Sequence, residues 1–243
     1  MSAAIKAASQ LSRFVGDAAG LEKTLRLLQS LAQIVAAYSL TAAAAAPWLQ
    51  ARTQLALGRR YLRFLKFVDA FALAFRVLSE QSGGVLAALE FGKWSCLGMY
   101  LLLESFTILD SMGVVSTTWA PGLFVEAMRF WFYSLSLGIL GGLWELWGLR
   151  SYGLAVENVA GADEADEKKS KEREAEEVES RMREKVTLRR KIMKKVVIDA
   201  CDLFIPGTTT GWLTASPATV GMLSAVSTVL AGADIWRRVQ EGQ

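Results

Sequence analysis

The sequence predicts an all-α integral membrane protein. Amphipathic helices lie at the interface, one or two helices cross the bilayer as a hairpin, and one long charged stretch forms a helix or spacer. Three observations carry this reading. The chain of 243 residues is 52% hydrophobic with a mean hydropathy of +0.28, and its charged fraction of 21% lies below the roughly 25% of a soluble domain. The charge is also unevenly placed. Gly161–Lys195 holds 10 acidic and 12 basic residues, leaving 29 of the 51 charges for the other 208 positions. Outside that block apolar residues recur at helical spacing, and Leu203–Ala233 runs 31 residues without a charge.

Ser2–Val15 places Ile5, Leu11, Phe14 and Val15 for a short amphipathic helix, and Gly16-Asp17-Ala18-Ala19-Gly20 breaks it. Leu21–Leu40 repeats Leu21, Leu25, Leu28, Leu31, Ile34, Val35 and Tyr38 at three- and four-residue spacing, so a second helix is expected there. The run Ala42–Ala46 before Pro47 is expected to end or bend it.

Arg52–Leu78 reads as one continuous helix with two opposed faces. Leu57, Tyr61, Phe64, Val68, Phe71, Phe75 and Leu78 form a narrow apolar stripe, while Arg52, Arg59, Arg63 and Lys66 lie opposite, with Ala56, Ala70 and Ala74 beside them. Such a helix fits a membrane interface, the stripe inserted and the cations on anionic phospholipid. The same periodicity would serve a bundle helix with a solvated basic face.

Ser82-Gly83-Gly84 reads as a hinge. Val85–Met112 is apolar, but its longest uncharged run, Trp94–Leu103, has ten residues. That is short for a bilayer core of about 30 Å, so a re-entrant, interfacial or bundle helix is expected. Thr118–Gly122 reads as a turn. Phe130–Trp144 is 15 uncharged residues, with Trp131, Tyr133, Trp144 and Trp147 near its ends. Ser134, Gly138 and Gly142 recur every four residues within it, a spacing that lets helix backbones approach closely.

In Gly161–Lys195 acids lead and bases follow, and Glu164–Lys168, Glu167–Lys171 and Glu177–Arg181 are acid-first pairs at i, i+4. A solvated helix or a disordered spacer both fit. Ile192–Ile205 is amphipathic and closed by Pro206-Gly207. Thr214–Ala233 is the strongest transmembrane candidate, with Pro217 in its first turn and Trp212 and Trp236 at its ends. Gly221, Ser224, Thr228 and Gly232 supply small faces for helix packing, within the chain or between copies. The regions are therefore 1–84 (amphipathic, membrane-remodelling), 85–150 (membrane-embedded), 151–205 (charged spacer) and 206–243 (C-terminal transmembrane helix and tail).

Composition excludes several classes. The absence of histidine removes Ser-His-Asp and Cys-His catalysis and imidazole metal ligation. No phosphate loop or nucleotide fingerprint occurs, so an enzyme, a cofactor or a metal is not expected. Cys96 and Cys201 form no C-x-x-C motif, and a net charge of +3 does not point to nucleic acid. Met1–Gly20 has no continuous apolar core of a secretory signal.

Three motifs carry a family resemblance. Gly20-Leu21-Glu22-Lys23-Thr24-Leu25-Arg26-Leu27-Leu28-Gln29 resembles G-R-D-K-x-x-R-x-x-Q, matching at Gly20, Lys23, Arg26 and Gln29 and departing at Leu21 and Glu22. The basic amphipathic stretch Arg52–Leu78 follows. Val220–Ser227 with Gly232, Asp234 and Trp236, preceded by Asp202–Pro206 and Gly211-Trp212, completes the order. In these motifs the chain resembles the peroxin-11 family, peroxisomal membrane proteins that elongate and proliferate peroxisomes, and its departures resemble a divergent fungal-type branch. The resemblance implies homo-oligomers, recruitment of the dynamin-related fission machinery and cytosolic termini. Glu241-Gly242-Gln243 is not the S-K-L type of address, so any peroxisomal targeting would be internal.

In the elongation reading, the Arg52–Leu78 stripe enters one leaflet as a wedge and favours positive curvature, with oligomerisation gathering many wedges. The alternative implied by the resemblance is a metabolite channel, in which Glu104, Asp110, Glu126, Arg129 and Glu145 line a polar path.

Overall fold

The computed structural model describes residues 3–80, 83–159 and 168–241, with side chains described outside 150–179. Every regular element among them is helical: α1 Ala3–Gly16, α2 Ala18–Tyr38, α3 Ala42–Arg63, α4 Phe67–Glu80, α5 Val85–Phe106, α6 Ile108–Ser111, α7 Ala120–Val159, α8 Lys168–Thr209 and α9 Pro217–Glu241.

Local chemistry sets most boundaries. Asp17 caps α2, its Oδ1 accepting from the Ala19 and Gly20 amides at 3.0 Å each. Gly20 is required there. A Cβ at this position would stand 2.0 Å from the Phe14 carbonyl oxygen, so any other residue would push α1 off α2. Thr41 caps α3 through Ala44 N–H at 3.2 Å. Ala42–Ala46 therefore begins a helix instead of ending one, and Pro47 lies inside that helix, at the loss of one hydrogen bond to the Ala43 carbonyl. Ser216 caps α9 through Thr219 N–H at 3.1 Å, with Pro217 at the first helical position as expected.

Three sequence expectations are corrected. Arg52–Leu78 is not one helix: the chain breaks at Phe64–Lys66, where Leu65 has φ +65°, and resumes as α4. A left-handed leucine is costly; backbone hydrogen bonds from Lys66 to the Arg63 carbonyl at 3.0 Å and from Val68 to the Leu65 carbonyl at 3.1 Å close the turn, and both segments pack against other helices. The Thr118–Gly122 turn is shorter than expected, because α7 already starts at Ala120. Pro206 does not end its helix; α8 runs through it to Thr209, and Gly211 at φ +76° makes the turn. Glu164 and Glu167, and with them the first two acid-first pairs, lie outside the described residues; so does the side chain of Glu177.

Among the described residues three helices are long and apolar enough to cross a membrane: Val85–Phe106 of 22 residues, Ala120–Leu149 of 30 and Pro217–Glu241 of 25. The first raises the count above the one or two expected. Its charges Glu90, Lys93 and Glu104 interrupt the uncharged run without removing the apolar character of the helix as a whole. Only 17% of the most apolar window of Val85–Phe106, and 28% of that of each of the other two, is buried inside the protein. Such apolar faces need a second apolar medium, which lipid supplies.

Packing joins distant segments. Helix α2 lies against α3 and α9, α9 against α8, α8 against α7, α7 against α5 and α5 against α4. The turn at Leu65 joins α4 back to α3, so these seven helices close a ring. The apolar core sits where α4, α5 and α7 meet, around Ala70, Tyr100, Leu101, Ala127 and Met128. Tyr100 stacks on Trp131 at 5.1 Å. Helix α1 folds over the far end, where Phe14 meets Trp236 at 5.4 Å and Arg238 donates to Asp17 at 3.1 Å.

Candidate membrane interface and the inward basic face

The apolar stripe points outward. Tyr61, Phe64, Val68, Phe75 and Leu78 are each between 46% and 68% exposed, as is Leu65 at the break. Leu57 is half-buried. Phe71 departs from the set: its ring fills the space beside Gly98, where a Cβ would come within 2.6 Å of it. The opposite side of α4 is made of small residues, Ala70 and Ala74, which are buried as α4 packs on α5.

The basic face does not behave as one surface. Arg52 and Lys66 are exposed. Arg59 is buried; its Nε donates to Glu22 Oε1 at 2.8 Å and its Nη1 to Gln29 Oε1 at 2.7 Å. Arg63 donates through Nη2 to Glu104 Oε1 at 2.9 Å, and Tyr100 donates its hydroxyl to the same oxygen at 3.0 Å. Arg59 and Arg63 therefore face protein carboxylates instead of the lipid surface expected for them. The reason lies on other helices. A guanidinium leaves water only where a carboxylate meets it, and Glu22 and Glu104 supply that on α2 and α5. Arg60, outside the four cations expected at the lipid surface, belongs to the same cluster. It stands 4.6 Å over the Phe124 ring, reaches Glu104 at 3.5 Å and donates to Ser111. Burial pushes the Glu22 carboxyl up, but Arg59 and Lys23 outweigh it and hold the group down at about 2.

A second polar cluster lies between α2, α8 and α9. Arg26 and Asp202 are both buried and form an ion pair. Arg26 also donates to Ser227 Oγ at 3.2 Å and to Ser224 Oγ at 3.5 Å, and Ser30 donates to Ser224 Oγ at 2.8 Å. The small residues pack within the chain. A Cβ on Gly138 would meet Asp199 at 2.8 Å, one on Gly142 would meet Val196 at 2.5 Å, and one on Gly221 would meet Ile34 at 2.8 Å. Thr228 is buried and bonds back to the Ser224 carbonyl at 2.6 Å, while Gly232 only grazes Phe14 at 3.9 Å.

The acids and base assigned to a channel are scattered. Glu104 is held in the arginine cluster. Asp110 accepts from Thr117 N–H at 2.9 Å, Glu126 pairs with Arg129 at 2.5 Å, and Glu145 lines a narrow cleft with Lys93 and Lys195. Glu104 and Glu145 line different cavities.

Residues 8–236 match the family described as Peroxisomal biogenesis factor 11 (PEX11). The chain belongs to the PEX11 family. It is 25% identical over 227 residues to the peroxisomal membrane protein PMP27 of Saccharomyces cerevisiae (strain ATCC 204508 / S288c), covering 93% of this chain and 92% of that relative. No solved structure matches it. The residues through which the sequence resembles PEX11 proteins turn out to touch one another. Arg26 of the N-terminal motif binds Asp202 and Ser224 of the C-terminal one, Gln29 holds Arg59 of the middle one, and Gly20 and Gly221 sit at close approaches. In this PEX11 chain the three motifs meet in space.

Proposed function

We propose that the protein resides in the peroxisomal membrane and promotes peroxisome proliferation by elongating the membrane, with the outward face of α3 and α4 inserted in one leaflet. The observation that carries this reading is the inside-out arrangement of that segment: cations turned to protein carboxylates, aromatic and aliphatic side chains turned out. PEX11 membership and the similarity to a yeast peroxisomal membrane protein support the location and the process. Five half-exposed side chains entering lipid would contribute on the order of 5 kcal/mol per copy. The break at Leu65 divides the wedge into two shorter apolar segments. Further copies, associating through the outward faces of the spanning helices, would concentrate the wedges, and a fission machinery would act on the resulting tubule. α1 and the C-terminal end of α9 lie on the cytosolic side in this reading.

The test uses the full chain reconstituted in anionic vesicles imaged by electron microscopy. Phe64→Glu places a charge on the outward face away from the ion pairs, so tubulation should be lost while the protein stays folded by circular dichroism. Arg63→Ala should instead lower thermal stability in detergent, because Arg63 holds Glu104. Undiminished tubulation by Phe64→Glu would sink the wedge.

A further inference from the structure

The ring of helices encloses a cavity of about 470 Å³ whose charge is unbalanced. Four guanidinium groups line it, Arg52, Arg59, Arg60 and Arg63, against one carboxylate, Glu104. Glu22, behind the wall, satisfies Arg59. Arg60 and Arg63 both lean on the single Glu104 oxygen. Arg63 Nε is buried without a hydrogen-bond partner among the described residues. Arg52 makes no ion pair with any described residue. After Glu22 and Glu104 are counted, two positive charges remain uncompensated around an enclosed volume. An orphaned buried donor and a surplus of cations together are costly, and a bound anion removes both costs.

We propose that this cavity is a binding site for a phosphate-bearing anion. Planar guanidinium forks match phosphate oxygens in pairs, and several converge here. Gln33, whose amide nitrogen gives one of its two hydrogens to the Pro217 carbonyl, also lines the cavity, as do Thr208 and Thr209, whose hydroxyls donate to backbone carbonyls of α8. Phe124, Met128 and Trp131 give the cavity an apolar side, which suits a phosphate carried on an apolar or sugar-like body better than a bare ion. Exposed Arg52, Thr53 and Pro217 mark the mouth, and buried Arg59, Glu104 and Ser224 the floor. The mouth opens beside the start of α9, at one end of a helix long and apolar enough to cross a membrane. The same phosphate chemistry reaches that mouth on a lipid headgroup or on a soluble organophosphate. The site does not depend on insertion of α3 and α4.

The experiment uses the full chain purified in uncharged detergent, with no vesicles present, so that failure here is separate from failure of the wedge. Binding is followed by native mass spectrometry and by thermal stabilisation. The probes are dioctanoyl phosphatidic acid, dioctanoyl phosphatidylcholine and glycerol 3-phosphate. Phosphatidic acid should bind with at least about tenfold preference over phosphatidylcholine, and more weakly as salt rises. Binding of glycerol 3-phosphate, with competition against the lipid, would assign the site to a soluble organophosphate; binding of the lipid alone would assign it to a headgroup. Arg52→Gln and Arg60→Gln should each weaken binding about tenfold. Arg76→Gln removes an equal charge outside the cavity and should change nothing. Arg52 is exposed and unpaired among the described residues, so its variant tests the site even if Arg60→Gln misfolds. Glu104→Gln should tighten binding several-fold wherever the protein folds. The proposal is overturned if no probe binds, or if Arg52→Gln binds as the unaltered protein does or no worse than Arg76→Gln.

Discussion

Arg26 and Asp202 are 176 residues apart in the chain, yet each is buried against the other. Removing one partner leaves the other charged in a poor dielectric, which costs about 3–5 kcal/mol. Asp202→Asn should therefore lower the unfolding temperature in detergent strongly. Arg26→Met combined with Asp202→Leu should recover most of the loss, since an apolar pair of similar volume avoids the stranded charge. Glu22 gives a pH-dependent counterpart. Its carboxyl titrates at about 2 in the folded chain against an ordinary 4.5, so the folded form binds fewer protons between these values. The stabilisation is complete above about pH 4.5 and disappears as pH falls towards 2, worth up to about 3 kcal/mol. A pH series of thermal unfolding should show this decline flattened in Glu22→Gln. Neither partnership is written in sequence spacing. Arg59 and Arg63 read as surface cations because their face is basic and periodic; the carboxylates that draw them inward belong to other helices.

At the scale of elements, glycine separates packing from propensity. On α7, Gly142 faces α8 and a Cβ there would stand 2.5 Å from Val196 Cγ2, whereas a Cβ on Gly148 of the same helix meets nothing within 4 Å. Gly142→Ala should destabilise by about 1–3 kcal/mol through overpacking. Gly148→Ala should stabilise by up to about 1 kcal/mol through helix propensity alone. Thermal unfolding of both variants in one detergent checks the opposite signs. The small-residue spacing of Gly138 and Gly142 was visible in the sequence, but the identity of the partner helix was not. The apolar stripe shows the same limit. Its period groups Tyr61, Phe64, Val68, Phe75 and Leu78, all exposed, and misses both the break at Leu65 and the inward turn of Phe71.

For the whole molecule, the antiparallel pairing of α2 with α9 decides sidedness. Gln33 donates to the Pro217 carbonyl at 2.7 Å near one end. Arg238 binds Asp17, and Gln240 donates to the Gln10 carbonyl at 3.0 Å, at the other. α1 therefore lies beside the C-terminal end of α9, whichever of the three apolar helices cross the bilayer. Epitopes placed before α1 and after α9 should be digested together by protease added to intact organelles, or protected together. Digestion of one alone would contradict this pairing in the membrane.

The sequence by itself determined the helical class, the apolar segments and the order of the family motifs, because period, composition and caps such as Asp17 act over a few neighbouring residues. Tertiary structure alone decided that the basic face turns inward, that the first and last motifs form one buried network, and that four arginines surround a cavity. Those outcomes depend on charges meeting across helices far apart in the chain. Burial of a charge is allowed or forbidden by its partner in space, and no local pattern names that partner.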